Sequence, residues 1–236
     1  MREVKEEAFG SRNSILEDIF IQNNIRFIKN LWFVTCRYKI NKDINTRYLV
    51  LLEDEQYINL EIFNEFIDVY DVCFAENGVF AKNRRTKVKR IFTLDEFKKW
   101  IIDKTNCKFV ESQASGSDLA SPLSRFFREN MGKGFSLTDV DFFITEKSVF
   151  VEEKTFIQDG VGLLGHGQYI SFKEIKKDIC PNIDFHIILN DGENFYIVNL
   201  DTIDPDRIVD ETKWGKMIEF DLGRKYTIDE IIEKYK

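Results

Sequence analysis

Short runs of alternating apolar and polar positions make up most of this chain, punctuated by capped segments with helical spacing. Ser14-Ile15-Leu16-Glu17 has the form of a capping box and predicts a short helix to about Asn23. Leu31–Tyr38 and Arg47–Leu52 read as strands, whereas 57–74 is apolar with mixed periodicity and leaves helix and strand both open. Asn77-Gly78 is a hairpin signal. Thr93-Leu94-Asp95-Glu96 is a second capping box, predicting a helix through about Thr105. Residues 111–121 are small and polar and read as a linker, with the domain boundary placed there. Ser121-Pro122 then predicts a helix over 122–130 that packs on the core sheet. Residues 184–189 and 194–200 form a further hairpin, and Thr227-Ile228-Asp229-Glu230 caps a C-terminal helix.

The stretch 136–154 organises the rest. Two apolar, β-branched and aromatic arms flank the polar turn 145–148. A turn centred between Glu146 and Lys147 sets Asp141 opposite Glu152, and Asp139 opposite Lys154. Glu-Lys lacks the Asn-Gly chemistry of a tight turn, however, and a loop with one odd residue would put the groups on opposite faces. Opposed residues share a face of a sheet, as do residues two apart. In the centred register three carboxylates and one ammonium meet on one patch. Such carboxylates suit Mg²⁺, which is held by one or two of them plus substrate phosphate. A neighbouring lysine can stabilise developing charge. The competing reading is a solvated hairpin face with cross-strand ion pairs, worth about 0–1 kcal/mol each.

Asp-x-Asp on one strand, a short turn, then an apolar strand ending Glu-x-Lys resembles the PD-(D/E)XK nuclease superfamily, the restriction-endonuclease-like fold. The resemblance covers the last half of the chain. It implies that Asp141 and Glu152 bind metal, with Asp139 as an auxiliary acid, and that Lys154 activates water or stabilises charge. Val140 stands where the family often has Pro, and Glu153 is an alternative acid that strand alternation turns to the other face. Gln168, on the helix expected after the Glu-x-Lys strand, resembles a glutamine that orients metal-bound water or phosphate, and it also reads as a surface residue.

Gly160, Gly162 and Gly165 spell Gly-x-Gly-x-x-Gly, the dinucleotide-binding pattern. The preceding strand ends in charged residues, unlike a central strand apolar on both faces. A mobile loop around a bulky substrate is the preferred reading. Lys173, Lys176 and Lys177 read as a solvated helix face, and His186 as a core or edge residue.

Composition narrows the classes. A 43% hydrophobic content over 236 residues supports a real core and one or two domains. No apolar run reaches ~18 residues, so no membrane span is expected. Residues 1–7 lack the apolar stretch of a signal peptide. The four cysteines are far apart and read as reduced, mostly buried residues of a cytoplasmic protein. The net charge of −7 disfavours a generic polyanion binder. One dense basic run exists: Lys82, Arg84, Arg85, Lys87, Lys89 and Arg90. It is either a lysine-guarded edge strand or a phosphate-contacting ribbon.

The expectation is an α+β (α/β) protein. Residues 1–110 form a mixed α+β domain that recognises DNA, and 111–236 form a restriction-endonuclease-like mixed sheet flanked by helices. The resemblance implies a Mg²⁺-dependent DNA endonuclease, with Mn²⁺ as substitute, of restriction type. DNA is the expected partner, with a homodimer left open. An inactive nucleic-acid-binding or assembly module on the same fold is the alternative.

Overall fold

Ser14 opens the first helix, α1 (Ile15–Gln22), by accepting a hydrogen bond from the Glu17 amide at 3.0 Å. Its buried stripe is Leu16, Ile19 and Phe20. A short strand, β1 (Phe27–Ile28), follows. The computed structural model describes residues 14–40, 43–53, 57–106, 121–131, 135–154, 157–158, 160–191, 194–212 and 215–236. The chain divides into two compact units, Met1–Lys29 with Val140–Lys236, and Asn30–Asp139. The second unit is thus an insertion in the first. The linker expected at 111–121 lies, except for Ser121, outside the described residues.

The inserted unit begins with β2 (Leu31–Ile40) and β3 (Asp43–Glu53), an antiparallel pair. β4 (Asp68–Ala75) adds in parallel to β3, and β5 (Gly78–Asn83) and β6 (Lys89–Phe92) complete a meander. The ambiguous stretch 57–74 resolves into a 3₁₀ turn, Leu60–Ile62, and β4. Ala75 faces Gly78 across the β4–β5 turn. Gly78 has φ +150°, and a Cβ there would lie 2.2 Å from the Phe92 carbonyl oxygen, so glycine is required. Helix α2 (Leu94–Thr105) carries a complete capping box from Thr93 and Glu96. Helix α3 (Pro122–Asn130) and strand β7 (Phe135–Val140) follow, and the sheet order is β6-β5-β4-β3-β2-β7. Helices α2 and α3 bury Phe97, Trp100, Leu123, Phe126 and Phe127 with Trp32, Leu51 and Val79 of the sheet.

The first unit resumes with β8 (Phe142–Ile144) and β9 (Val149–Lys154). Then come β10 (Ile157–Gln158), β11 (Val161–Gly165) and α4 (His166–Glu174), which runs into a π-helical turn at Ile175–Ile179. The remainder is β12 (Asp184–Asn190), β13 (Phe195–Asn199), β14 (Ile208–Thr212), β15 (Gly215–Asp221), β16 (Lys225–Tyr226) and α5 (Ile228–Tyr235). Two sheets result, β1-β8-β9-β12-β13-β16 and β10-β11-β15-β14. Strand β12 lies parallel to β9, which demands a crossover, and β10, β11 and α4 supply it. Helix α1 packs Leu16, Ile19 and Phe20 against Phe142, Ile144, Val149 and Val151. The protein is therefore α+β, with mixed sheets and five helices among the described residues.

Several expectations change. Helix α3 belongs to the core of the inserted unit, and α1 covers the 142–154 hairpin instead. The glycine stretch is not a mobile loop: 161–165 is a strand paired with β15. A Cβ on Gly162 would approach Phe220 to 2.4 Å and Leu189 to 2.9 Å, so this glycine serves close packing. Cys36 is disulfide-bonded rather than reduced, while Cys73 and Cys180 are free thiols. Sequence spacing carries no information on Cα separation, which governs pairing. No helix among the described residues is long and apolar enough to cross a membrane.

Candidate active site

Strand β9 is buried at Val149, Phe150 and Val151 and turns polar only at its end, Glu152-Glu153-Lys154. Its antiparallel partner β8 pairs Phe142 with Val151, Phe143 with Phe150 and Ile144 with Val149. The register matches the one expected from a turn centred between Glu146 and Lys147, and it places Asp141 one step beyond the ladder, across from Glu152. Asp141 accepts a hydrogen bond from the Glu153 amide at 2.7 Å through Oδ2. Strand alternation then gives Glu152 and Lys154 one face and Glu153 the other.

Glu152 is 4% exposed. Its Oε1 accepts from the Lys154 ammonium and from Gln168 Nε2, the latter at 2.6 Å. Gln168 lies in the first turn of α4, which the crossover brings over β9. Asp141, Glu152, Lys154 and Gln168 are thereby gathered within one unit. Burial pushes the Asp141 carboxyl above its ordinary value, against the pull of the Lys154 ammonium, the Glu153 amide and the Lys29 ammonium.

Asp139 is not part of the β8–β9 ladder. It is exposed on β7, a strand of the β2–β6 sheet, and falls in the inserted unit. The chain leaves one sheet for another at Asp141, so the β8–β9 ladder ends at Phe142 and never reaches a pairing of Asp139 with Lys154.

Glu153 has a structural task. Ser14 donates its hydroxyl to Glu153 Oε2, and the Leu16 amide reaches Oε1 at 3.4 Å. The carboxylate thus sits at the N-terminus of α1, where the helix dipole favours it. Burial nevertheless holds its carboxyl above the ordinary range. The capping box read at Ser14–Glu17 is only half formed, because the Glu17 side chain bonds Lys29 Nζ at 2.6 Å. Lys29 was missed in the sequence. It stands 5.8 Å over the Phe142 ring, next to Asp141, and nothing in a lone lysine 112 positions before Asp141 signals that.

The basic run separates into two kinds. Arg84 binds Asp71 Oδ1 through Nε at 2.6 Å and Nη2 at 2.5 Å, and both side chains are largely buried. Arg85 donates to the carbonyls of Phe63, Asn64 and Ile67 at 3.3, 3.2 and 3.4 Å. Arg84 is thus held in an ion pair, and exposed Arg85 donates to the unit's own carbonyls. Lys82 is half-buried on β5, while Lys87, Lys89 and Arg90 are exposed at or beside the edge strand β6.

Elsewhere, Lys173 and Lys176 pair with Asp201, and Lys176 also stands 3.8 Å from Asp184. His186 Nδ1 lies 2.8 Å from the Tyr235 hydroxyl, and burial lowers its pKa to about 4. It is a half-buried residue with its hydrogen bond satisfied by Tyr235. No three His, Cys, Asp or Glu side chains among the described residues converge as a ready metal cage. Asp141 and Glu152 still fit Mg²⁺, which needs only one or two carboxylates when substrate phosphate completes its shell.

No family model, no curated protein and no solved structure matches this chain.

Proposed function

We propose that the protein is a metal-dependent endonuclease of DNA with a restriction-endonuclease-like core in its first unit. The observation that carries the reading is the convergence on Glu152. A buried carboxylate shares one oxygen between an ammonium and an amide, with a second carboxyl across the hairpin. The core reading is supported by the order α1, β8–β9 hairpin, α4 and then β12 parallel to β9.

Asp141 and Glu152 would hold Mg²⁺ or Mn²⁺. Such an ion, when bound, supplies polarisation of a phosphoryl oxygen and a lowered pKa for coordinated water. Lys154 releases Glu152 and turns its ammonium to the charge that grows on the phosphate oxygens. The Gln168 amide holds the attacking water in line. Burial of Asp141 and Glu152 lowers the local dielectric, so each of these contacts acts more strongly than in bulk water.

The test is incubation of the full chain with plasmid and mixed linear DNA in Mg²⁺, Mn²⁺, Ca²⁺ or EDTA, followed by mapping of the ends. Cleavage is expected with Mg²⁺ and Mn²⁺, and binding without efficient cleavage with Ca²⁺, whose looser geometry places water poorly. Rapid cleavage in EDTA would eliminate the metal mechanism. DNA binding with no response to any metal would favour the inactive module.

A further inference from the structure

Two aromatic side chains of the inserted unit stand almost wholly in water, Tyr57 at 87% and Phe66 at 85% exposed. Their segment is not loose. Ile58, Ile62, Phe63 and Ile67 are buried beneath it. Asn59 Oδ1 accepts from the Glu61 amide at 3.0 Å, and Asn64 Oδ1 from the Phe66 amide at 3.2 Å. Arg85 ties the segment from the far side through the carbonyls of Phe63, Asn64 and Ile67. The same arginine belongs to the tight turn that presents Lys87, so its bonds bring the aromatic segment and the basic turn to one corner of the unit.

Burying one such ring would gain about 2–3 kcal/mol, and a fixed backbone holds both where an occupant can cover them. The surroundings select its chemistry. Lys87, Lys89 and Arg90 are exposed at the basic turn, and the acids of 57–67 are two, Glu61 and Glu65. Flat rings on a segment that Arg85 ties to a basic turn match unpaired bases on a phosphate backbone: the rings stack on bases and the cations meet phosphates. A duplex hides its base faces and offers the rings nothing.

We infer that Tyr57 and Phe66, with Lys87 and Lys89, form a stacking surface for an unpaired nucleic-acid strand. It deepens the nuclease reading by naming a substrate form, and it rests on that reading only in expecting nucleic acid. The experiment is fluorescence anisotropy of the full chain in EDTA against three probes: an unpaired oligothymidylate, an abasic strand of equal length, and a duplex. The base-bearing strand should bind tightest. Phe66→Ala and Tyr57→Ala should each weaken it roughly 5- to 150-fold and leave the abasic strand unaffected. Phe66→Trp should restore affinity. Lys87→Ala with Lys89→Ala should flatten log affinity against log salt by ~1.4 units. Equal affinity for abasic and base-bearing strands overturns the inference. So does a tighter duplex, unaltered binding by Phe66→Ala, or a dimer in sedimentation that Phe66→Ala dissolves. Mg²⁺-dependent duplex cleavage without strand binding sinks this inference and spares the nuclease; strand binding without cleavage does the reverse.

Discussion

Glu53 closes β3 in the inserted unit and Glu152 lies near the end of β9 in the first, and both are buried. Glu53 accepts from the Trp32 indole at 2.8 Å on Oε2 and from the Leu123 amide at 2.9 Å on Oε1. Its donors are neutral, and one of them is the N-terminus of α3. Glu152 accepts instead from the tips of two side chains, Lys154 and Gln168, on a single oxygen. Those tips can withdraw by rotamer change without moving a strand. One carboxylate is tied to an indole and a backbone amide, whereas the other shares an oxygen between two side-chain tips. Charge separates the units in the same sense. Residues 30–139 hold 17 Lys and Arg against 16 Asp and Glu, and the remaining residues hold 17 against 25. A further negative group in the first unit is offset by Lys154 and Lys29 or by an added cation.

The largest contrast should come from removing each glutamate. Glu152→Gln or Lys154→Ala should reduce Mg²⁺-dependent cleavage about 10³-fold or more, since members of such a site act as a unit. Glu152→Gln, which keeps an acceptor for Lys154 and Gln168, should change thermal unfolding little, whereas Lys154→Ala takes the ammonium from a buried carboxylate and should lower stability by about 3–5 kcal/mol. Glu53→Gln should leave turnover intact and lower stability by about 1–3 kcal/mol, as one structural acceptor is lost. Parallel cleavage assays and urea titrations would decide. If Glu153→Ala kills activity and Glu152→Ala does not, the assignment of faces on β9 is wrong.

The buried ion pair of the inserted unit extends the comparison. Asp71 is 5% exposed and depends on Arg84. Arg84→Ala leaves an uncompensated buried charge and should cost about 3–5 kcal/mol. Lys89→Ala, at an exposed edge, should stay within about 0.5 kcal/mol. Equal effects from the two in urea titrations would mean that Arg84 is no more than a surface cation.

How far the sequence could be read follows the range of each interaction. Capped helices, the Asn-Gly hairpin and the 145–148 turn are local, and their residues announce them. The turn left two registers of β8 and β9 open, and the structure takes the one centred between Glu146 and Lys147. The failures involve distant partners. Nothing local says that β7 pairs with β2, which removed Asp139 from the hairpin face. Nothing near residue 162 reveals Phe220, whose ring makes Gly162 a packing glycine. Arg84 looked like surface charge because Asp71 is remote in sequence.

A smaller effect belongs to the first unit alone and depends on pH. The folded pKa of His186 is lowered to about 4 from an ordinary 6.5, mainly by burial. Protonation therefore favours the unfolded chain. The neutral ring's contribution is fully present above about pH 6.5 and is lost as pH falls toward 4. Its full size is on the order of 3 kcal/mol. His186→Gln can keep an acceptor for the Tyr235 hydroxyl but cannot titrate. Urea titrations between pH 7 and pH 4 should show a steeper loss for the wild type than for the variant. Parallel losses would remove His186 from the account.

The smallest predicted difference compares the two helix caps. Ser14 and Thr93 each accept from the amide three residues on. Thr93 also receives the return bond, since its own amide donates to Glu96 Oε2 at 2.8 Å. Ser14 lacks that return and instead donates its hydroxyl to Glu153. Thr93→Ala should thus cost about 1 kcal/mol and nothing more, the ordinary worth of a cap. Ser14→Ala should cost a similar amount and also withdraw a donor from a buried carboxylate. That donor holds the Glu153 pKa down against burial, so its loss should raise that pKa further. A carboxyl whose folded pKa lies above its unfolded value stabilises at low pH and loses that contribution as pH rises through the folded value. Ser14→Ala should therefore be milder at pH 4 than at pH 8, whereas Thr93→Ala should show no such trend above pH 5. Carboxyl-carbon NMR titration of Glu153 in wild type and Ser14→Ala would read the shift directly. An unmoved Glu153 titration would mean that the serine caps α1 without bearing on β9.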